Sequence, residues 1–373
     1  MNADVPQLRI ALVAQSVDDA TGLGRIASAL ATEYGRFGHS VHIVSQRCEA
    51  TPGNWHQVPN PSLTPSIGKL AFRLFEPSIT VKTRASVIHA FGVGAEADVV
   101  AAQSCHKAAV RMQARRGKDR IARRNLGIYD RLSLDDERRL FMGPRRKRIV
   151  AVSHLVRRQI LEAYNVPEEA VCIVPNGVHL SRFRRELKTA APTGAERNPF
   201  VFLFVGNEFD RKGLQTIIEA LPLVPGQSVE VHVAGNDNPV PYKRRAAELG
   251  VLDRLKFLGG VTTPESLFLK ADAFLFPTHY EPFGMVIIEA MAAGIPVITT
   301  RAAGAVEDLT DGVHGLYLDD PCSADELSRR IRTLLGSASL RETLSRNGRI
   351  AAERFAWPVI AARYIELYRR IGG

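Results

Sequence analysis

Residues 281–298 read Glu281-Pro-Phe-Gly284-Met-Val-Ile-Ile-Glu289-Ala-Met-Ala-Ala-Gly294-Ile-Pro-Val-Ile298. This run follows an apolar segment that ends at Phe276, so its order is strand, loop, helix, turn and strand. We expect the helix to span about Phe283 to Ala293, because Gly294 is a typical residue for ending a helix. A helix between two buried strands is the repeating unit of a parallel sheet covered by helices.

The same alternation occurs twice along the chain. In the first half the candidate strands are Arg9–Ala14, Val41–Val44, Val87–His89, Val99–Ala102, Ile149–Val152 and Cys172–Val174. In the second half they are Phe200–Val205, Glu230–Ala234, Leu255–Leu258, Ala273–Phe276, Val297–Thr299 and Gly315–Leu318. Each half therefore predicts a doubly wound α/β domain with a parallel sheet.

The polar stretch Leu187–Asn198 separates the two halves and has the composition of a linker. We therefore place a first domain at residues 1–188 and a second at residues 189–352. Residues 353–373 form a last segment, in which a helix from about Trp357 to Arg370 carries apolar residues at helical spacing. A chain of 373 residues is long enough for two hydrophobic cores.

The composition excludes several classes of protein. The longest apolar stretch, Gly284–Thr300, is interrupted by Glu289 and is shorter than the about 20 apolar residues of a membrane-spanning helix. The first residues do not form a signal peptide, so we expect a cytoplasmic protein. The four cysteines are scattered and form no Cys-x-x-Cys pair, which predicts neither a zinc site nor a disulfide framework.

The positive charge of the chain is concentrated in one segment. The formal net charge is +10, and Lys107–Arg148 alone carries a basic excess of that size. Such a surface attracts nucleic acid, an acidic lipid surface or a phosphorylated substrate. Nucleic acid is the weakest of the three, because aromatic residues for base stacking are sparse there. An anionic membrane surface or a phosphorylated lipid fits better, and a solvated face that only aids solubility remains the alternative.

The start of the helix after Glu281 is suited to an anion. Gly284 lies in the expected first turn, where backbone N–H groups lack helical partners and the helix dipole is positive. Glu289 lies about two turns inside the helix among apolar residues, where a carboxylate needs a partner. A ribose diol is one such partner, and a nearby Arg or Lys is the alternative.

The two glutamates at this spacing, within the run quoted above, resemble the donor motif of the family 4 retaining glycosyltransferases. The resemblance implies the GT-B fold, with two Rossmann-like domains facing across a cleft and a C-terminal helix returning to the first domain. It also implies that Glu281 contacts the hydroxyls of the donor sugar and that Glu289 holds the ribose. The other donor contacts that it implies in these regions are Gly206, Val261, Phe283, Gly284, Met285 and Val286.

The segment Phe202–Leu214 resembles the loop that holds the donor diphosphate in this family. Arg211 and Lys212 are adjacent cations on a glycine-bounded loop, and they can offset the charge of a diphosphate without a metal ion. The Arg-Lys-Gly order resembles the branch that contains the lipopolysaccharide core glucosyltransferases. Asn207 stands where the family often has Arg, which changes how the loop contacts the phosphates. We expect no metal and no cofactor beyond the nucleotide-sugar co-substrate.

Two further features lie in the first half. The glycine-rich turn with Gly22 and Gly24 lacks the last glycine of a dinucleotide fingerprint, because Ala27 occupies that position. By resemblance it faces the donor phosphates instead. His106, after the strand Val99–Ala102, resembles the family's histidine beside the reacting sugar and is our catalytic candidate together with Glu281, Arg211 and Lys212. His89 is the second choice, and a structural role is the alternative for either histidine.

The resemblance therefore predicts transfer of a sugar, with a hexose favoured, from a nucleotide-sugar donor to an acceptor hydroxyl. We favour a UDP-linked donor, with GDP and ADP open, and a cell-envelope glycan such as lipopolysaccharide core or a lipid-linked saccharide as acceptor. The basic segment then predicts a peripheral protein on the inner face of the cytoplasmic membrane. The alternatives are an inactive sugar-nucleotide-binding protein, a sugar-nucleotide epimerase of the same fold and a nucleic-acid-binding protein.

Overall fold

The computed structural model divides the chain into two compact units. Unit 1 comprises Met1–Asn176 with Trp357–Gly373, and unit 2 comprises Gly177–Ala356. The structure describes residues 6–18, 21–49, 51–61, 64–94, 96–115, 127–183, 199–224, 228–261 and 263–372. The predicted linker, 187–198, lies outside the described residues.

Unit 1 is built on a parallel sheet of seven strands. The strands of this unit are β1 (Arg9–Val13), β2 (Ser16–Val17), β3 (Ser40–Ser45), β4 (Arg47–Cys48), β5 (Asn54–Gln57), β6 (Val87–Phe91), β7 (Val99–Ala102), β8 (Arg148–Ala151) and β9 (Val171–Ile173). The main sheet has the order β5-β3-β1-β6-β7-β8-β9, and β2 pairs with β4. The helices are α1 (Gly22–Arg36), α2 (Pro65–Lys82), α3 (His106–Arg115), α4 (Ile128–Met142) and α5 (His154–Ala163), with a 3₁₀ turn at Glu168–Ala170.

Unit 2 is built on a parallel sheet of six strands. They are β10 (Phe200–Val205), β11 (Val229–Ala234), β12 (Leu255–Gly259), β13 (Ala273–Phe276), β14 (Val297–Thr300) and β15 (Leu316–Leu318), in the order β12-β11-β10-β13-β14-β15. The helices are α6 (Leu214–Ala220), α7 (Val240–Glu248), α8 (Glu265–Lys270), α9 (Met285–Ala292), α10 (Ala324–Leu335) and α11 (Ala338–Glu353), with 3₁₀ turns at Leu180–Phe183, Leu221–Leu223, Leu252–Arg254 and Gly304–Val306. The last helix, α12 (Trp357–Arg370), belongs to unit 1. None of the helices in the described part of the chain is long and apolar enough to span a bilayer.

The two parallel-sheet domains are confirmed, and all twelve predicted strands form within two residues of their predicted bounds. Their apolar runs are buried because helices cover both faces of each sheet. The sequence did not predict β2, β4 or β5. The first two have only two residues each, and β5 is an edge strand of sequence Asn-Trp-His-Gln, so it lacks an apolar alternation.

The strand order of unit 2 determines where a ligand can bind. From β10 the chain continues to β11 and β12 on one side, and it then crosses to β13, β14 and β15 on the other. The loops that leave β10 and β13 therefore diverge from neighbouring strands at the carboxyl edge of the sheet. Ligands of open α/β sheets bind at such a point, where the strand order reverses.

Helix α12 completes an aromatic cluster in the core of unit 1. The hydroxyl of Tyr368 lies 2.9 Å from the hydroxyl of Tyr34 on α1 and 2.6 Å from Nδ1 of His89 on β6. The rings of Phe91 and Tyr364 pack against the imidazole of His89. These contacts confirm that the C-terminal helix returns to the first domain, and they place His89 in its core.

We expect His89 to make unit 1 sensitive to acid. Burial lowers the pKa of His89 to about 3, below the ordinary 6.5, so the unfolded chain binds a proton that the folded chain does not. The free energy of unfolding therefore falls as pH drops from 6.5 towards 3. On acidification from pH 7 to pH 4.5, the free energy of unfolding should therefore decrease in both proteins. The decrease should be about 2 to 3 kcal/mol smaller in His89→Gln than in the wild type.

Urea unfolding followed by tryptophan fluorescence measures this loss in unit 1 alone, because Trp55 and Trp357 both belong to that unit. An equal loss of stability on acidification in both proteins would contradict the assignment.

Candidate functional site

The loop after β10 is folded around two glycines. A Cβ atom on Gly206, whose φ is +151°, would lie 2.6 Å from Cδ of Lys212, because the lysine side chain lies across the Gly206 backbone. Gly213 has a φ of +81°, and its Cβ would lie 2.0 Å from the carbonyl oxygen of Pro277. Only glycine tolerates the positive φ and the backbone overlap at Gly213, whereas a Cβ at Gly206 would displace the flexible side chain of Lys212. The loop is thereby held against the end of β13.

The two predicted cations of this loop converge on Glu281. Nη1 of Arg211 lies 3.3 Å from Oε2 of Glu281, and Nζ of Lys212 lies 3.8 Å from the same oxygen. Nη2 of Arg211 also forms an ion pair of 2.6 Å with Glu208, which has a left-handed φ of +57°. The ammonium group of Lys212 packs over the ring of Phe276 at 5.2 Å. The structure thus brings together three of the four predicted catalytic residues.

The electrostatics of this cluster favour a bound anion. Burial lowers the pKa of Lys212, and Glu281 offsets that effect only in part because Arg211 also acts against the charged lysine. Burial also acts to lower the pKa of Arg211, but Glu208 and Glu281 outweigh it and the pKa is raised. The two partly buried cations therefore share Glu281, Arg211 has Glu208 as a second partner, and an added anion would stabilise the charged form of Lys212. Among the residues that the structure describes, no group of His, Cys, Asp and Glu side chains is arranged to hold a metal ion.

Glu281 is fixed by backbone contacts on both sides. Its N–H donates to the carbonyl of Ala302 at 3.1 Å, and its own carbonyl accepts from the N–H of Gly304 at 3.0 Å. The carbonyl of Phe283 accepts from Ala305 at 2.8 Å. These bonds tie the loop after β13 to the loop after β14, so the carboxylate is presented by a rigid backbone.

Helix α9 begins at Met285, two residues later than the expected start at Phe283. Gly284 has a φ of +100° and caps the helix, so it precedes the first turn, which Met285 and Val286 begin. A residue with this left-handed backbone conformation cannot belong to the α-helix itself. The helix ends as predicted, because Gly294 has a φ of +72° and donates to the carbonyl of Met291.

Glu289 occupies the second turn of α9 and is buried, with 7% of its surface exposed. Phe283 is also buried and packs against the ring of Phe355. The helix thus carries a carboxylate in a mostly apolar interior, as the sequence predicted. A polar ligand group that reached it would be shielded from water.

Asn207 links loops rather than contributing charge. Its side-chain oxygen accepts from the N–H of Asn236 at 2.7 Å, which ties the loop after β10 to the loop after β11. A Cβ on Gly260 would lie 2.2 Å from the side-chain oxygen of Asn236, so the loop after β12 packs on the same residue. Val261 follows there and is 36% exposed. The predicted donor contact Val261 therefore follows β12, and β11 and β10 lie between β12 and β13 in the sheet.

A second concave site lies within unit 1. A cavity of about 460 Å³ is enclosed by the turn before α1, by the ends of β6 and β7 and by α2, α3 and α4. Gly22 lines this cavity, whereas Gly24 is buried in the turn. A Cβ on Gly24 would lie 2.6 Å from both the carbonyl oxygen of Asp18 and the hydroxyl of Thr21. Gly24 thus permits the turn, and Gly22 faces the cavity.

His106 also lines this cavity, as the first residue of α3. The N–H groups of His106 and Lys107 donate to the carboxylate of Glu137 at 2.5 and 3.1 Å, which caps the helix. Nε2 of the imidazole is 3.6 Å from the carboxylate of Asp130, beyond hydrogen-bond distance. Within the described chain it is a buried atom with no hydrogen-bond partner. A ligand in the cavity could supply that partner.

Sequence reasoning missed three polar residues of the cavity. Oε1 of Gln103 accepts from Asn176 at 2.7 Å, while its Nε2 has no hydrogen-bond partner among the described residues. Lys69 and Glu137 also line the cavity. Gln103 could have been found, because it directly follows the buried strand β7. Lys69 and Glu137 are brought there by the packing of α2 and α4, for which the sequence gives no local signal.

The close approach at Gly213 gives a test of this loop. Gly213→Ala must accept both a left-handed φ and overlap with the carbonyl of Pro277, so it should lose about 3 kcal/mol or more. Gly250→Ala is the matched control, because Gly250 has a similar φ of +68° with open space around it, and it should lose about 1 kcal/mol. Thermal unfolding of unit 2 by far-ultraviolet circular dichroism compares the two. Equal losses would mean that the loop does not pack as described.

Two family models match the chain. The model of Glycosyltransferase Family 4 matches residues 20–182, and the model of Glycosyl transferases group 1 matches residues 187–351. The lipopolysaccharide glucosyltransferase WaaG of Escherichia coli is 29% identical over 199 residues, which are 51% of this chain and 53% of that protein. The phosphatidyl-myo-inositol mannosyltransferase of Mycobacterium tuberculosis is 32% identical over 233 residues, or 60% of each chain. The chain thus spans about half to three fifths of the length of the curated relatives that it matches.

Solved structures show the same fold over nearly the whole chain. The crystal structure of WaaG has a TM-score of 0.79 at 24% identity and covers 98% of this chain and 100% of its own. The structure of HepE from Anabaena in complex with UDP-glucose has a TM-score of 0.68 at 21% identity and covers 97% and 99%. The two family models together match residues 20–182 and 187–351. The chain therefore belongs to the GT-B glycosyltransferases that combine a family 4 first domain with a group 1 second domain.

Proposed function

We propose that the protein is a retaining glycosyltransferase that transfers a hexose from a UDP-linked donor to a hydroxyl of a cell-envelope glycan. The observation that carries the donor side is the cluster of Arg211, Lys212 and Glu281 at the point where the strand order of unit 2 reverses. Arg211 and Lys212 are partly buried and share the carboxylate of Glu281, and a diphosphate would serve both cations in its place.

Each residue of the cluster has a role in this proposal. Arg211 and Lys212 bind the diphosphate and stabilise the negative charge that develops on it as the bond to the sugar breaks. Glu281 binds hydroxyls of the donor sugar, and Glu289 binds the ribose diol. The first N–H groups of α9, at Met285 and Val286, have no helical partner and are available to the donor. UDP is favoured because HepE, a similar fold, is described in complex with UDP-glucose.

The acceptor is assigned to unit 1. Its cavity carries the hydrogen-bonding groups Gln103 Nε2 and His106 Nε2, which suit hydroxyls of a saccharide. Similar proteins include WaaG and the lipopolysaccharide core biosynthesis glycosyltransferase LpsE of Rhizobium meliloti, which is 31% identical over 168 residues. These names support a cell-envelope acceptor. The basic segment Lys107–Arg148, of which residues 116–126 lie outside the described part of the chain, would hold the protein peripherally at the anionic inner face of the cytoplasmic membrane. Neither the inactive binding protein nor the epimerase receives support from the relatives.

A nucleotide panel tests the donor site. UDP should raise the melting temperature of the wild type in the presence of EDTA, because a ligand at a hundredfold excess over its Kd adds about 2.7 kcal/mol to the free energy of unfolding. Glu289→Gln should lose that stabilisation, whereas Glu342→Gln, an exposed glutamate on α11 of the same unit, should keep it. Stabilisation by GDP or ADP alone would overturn the choice of base. Stabilisation by none would overturn the donor site.

Replacing His106 should separate binding from chemistry. His106→Ala removes an imidazole that supports proton transfer or charge development at the sugar, and it should lower kcat by about a hundredfold. The stabilisation by UDP should not change, because unit 2 binds the nucleotide. His154→Ala is the matched control, since His154 is the exposed first residue of another helix of unit 1. Chromatography of UDP released from UDP-glucose measures turnover, and unchanged turnover in His106→Ala would exclude the proposed role.

A further inference from the structure

Helix α2 is oriented with its polar residues inward and its apolar residues outward. Its buried positions include Lys69, Glu76 and Thr80, together with Phe72. Its exposed large apolar residues are Ile67, Leu70, Leu74, Phe75 and Val81, and Leu74 is 72% exposed. At 3.6 residues per turn these five side chains fall on one side of the helix. An ordinary surface helix has the opposite orientation.

Ion pairs to α4 fix this orientation. Nζ of Lys69 lies 3.1 Å from the carboxylate of Asp136 and donates to the hydroxyl of Ser133 at 2.8 Å. Nε of Arg73 lies 2.5 Å from the same carboxylate, which is almost completely buried. If the helix turned to bury its apolar side, these ion pairs would be broken. Breaking a buried ion pair is strongly destabilising. The apolar side therefore stays outward.

Two residues at the start of α4 are also exposed and carry large apolar side chains. The ring of Tyr129 lies 4.9 Å from the ammonium group of Lys69, and Tyr129 and its neighbour Ile128 are both exposed. We call the set Ile67, Leu70, Leu74, Phe75 and Val81 the outer face of α2. An exposed apolar helix face of this kind marks a binding site for an apolar partner.

The unit that carries the outer face is positively charged. Lys82 and Arg84 are exposed at the C-terminal end of α2. Unit 1 contains 28 Lys and Arg against 17 Asp and Glu, a formal charge of +11, whereas the 21 and 22 of unit 2 give −1. An anionic bilayer presents negatively charged headgroups above an apolar acyl-chain region. An apolar helix face on a cationic unit complements both of these layers. A protein partner would need no such charge.

We propose that the outer face of α2 docks onto an anionic lipid bilayer and inserts its side chains at the boundary between headgroups and acyl chains. The inner side of the same helix places Lys69 in the wall of the unit 1 cavity. Docking through α2 therefore brings that cavity beside the bilayer, where a lipid-linked acceptor would lie; this last step rests on the acceptor side of the proposed function.

Co-sedimentation with vesicles tests the docking surface. The wild type should bind vesicles of phosphatidylcholine with phosphatidylglycerol more strongly than vesicles of phosphatidylcholine alone, and added NaCl should weaken the difference. Leu70→Gln/Leu74→Gln should lower the partition coefficient by about tenfold or more, because both side chains lose apolar burial in the bilayer. Val240→Gln/Ile350→Gln, which alters two comparably exposed residues of unit 2, should bind as the wild type does.

Three results would overturn the proposal. They are equal binding by wild type and Leu70→Gln/Leu74→Gln, no preference of the wild type for anionic vesicles, and self-association of the wild type without lipid that the double substitution abolishes. Tryptophan fluorescence confirms that unit 1 of the variant is folded. Stabilisation by UDP is measured on the same samples and tests the donor site independently of lipid docking. Loss of UDP binding would not affect the vesicle result, and loss of vesicle binding would not affect UDP binding.

Discussion

The side chain of Lys212 lies across the backbone of Gly206, and the proposed donor site of unit 2 depends on that close approach. A Cβ at Gly206 would meet this side chain, and a Cβ at Gly235 would lie 2.1 Å from the carbonyl oxygen of Gly206. Gly213 makes a third such approach to Pro277. The loops after β10, β11 and β13 therefore pack backbone to backbone. This packing leaves the lysine ammonium between the Phe276 ring and Glu281.

That packing explains why the site is biased towards an anion. Arg211 and Lys212 are held in a partly desolvated position, and burial acts against the charge of both. Glu281 lies within 4 Å of each cation, and Glu208 is a second partner of Arg211. A ligand with two phosphates would replace Glu281 as the partner of both cations and leave it able to accept from sugar hydroxyls. Unit 2 has a formal charge of −1, whereas unit 1 has a formal charge of +11. The attraction of unit 2 for an anion therefore comes from this local cluster.

Features encoded by neighbouring residues could be predicted from the sequence. The parallel strands, the end of α9 at Gly294 and the pairing of Arg211 and Lys212 on one loop all follow from local patterns. The start of α9 was misjudged by two residues, because the left-handed φ of Gly284 is not visible in a residue type that accepts any φ.

Features that depend on distant packing could not be predicted. Glu137 caps α3 only because α4 folds against it, and Glu208 becomes a partner of Arg211 through an unusual backbone angle. The periodicity of α2 alone would place its apolar side inward, whereas the ion pair between Lys69 and Asp136 turns that side to the surface. In each case a contact between separate elements outweighs the local preference.

The central claim is that Arg211 and Lys212, rather than a metal ion, bind the second phosphate of the donor nucleotide. Isothermal titration calorimetry of UDP and UMP in the presence of EDTA tests it most directly, because the two ligands differ by that phosphate. We predict that the wild type binds UDP at least about tenfold more tightly than UMP, and that Arg211→Gln/Lys212→Gln loses this advantage while keeping its affinity for UMP. An advantage of UDP that persists in the double variant, or that appears only when a divalent cation is added, would contradict the account.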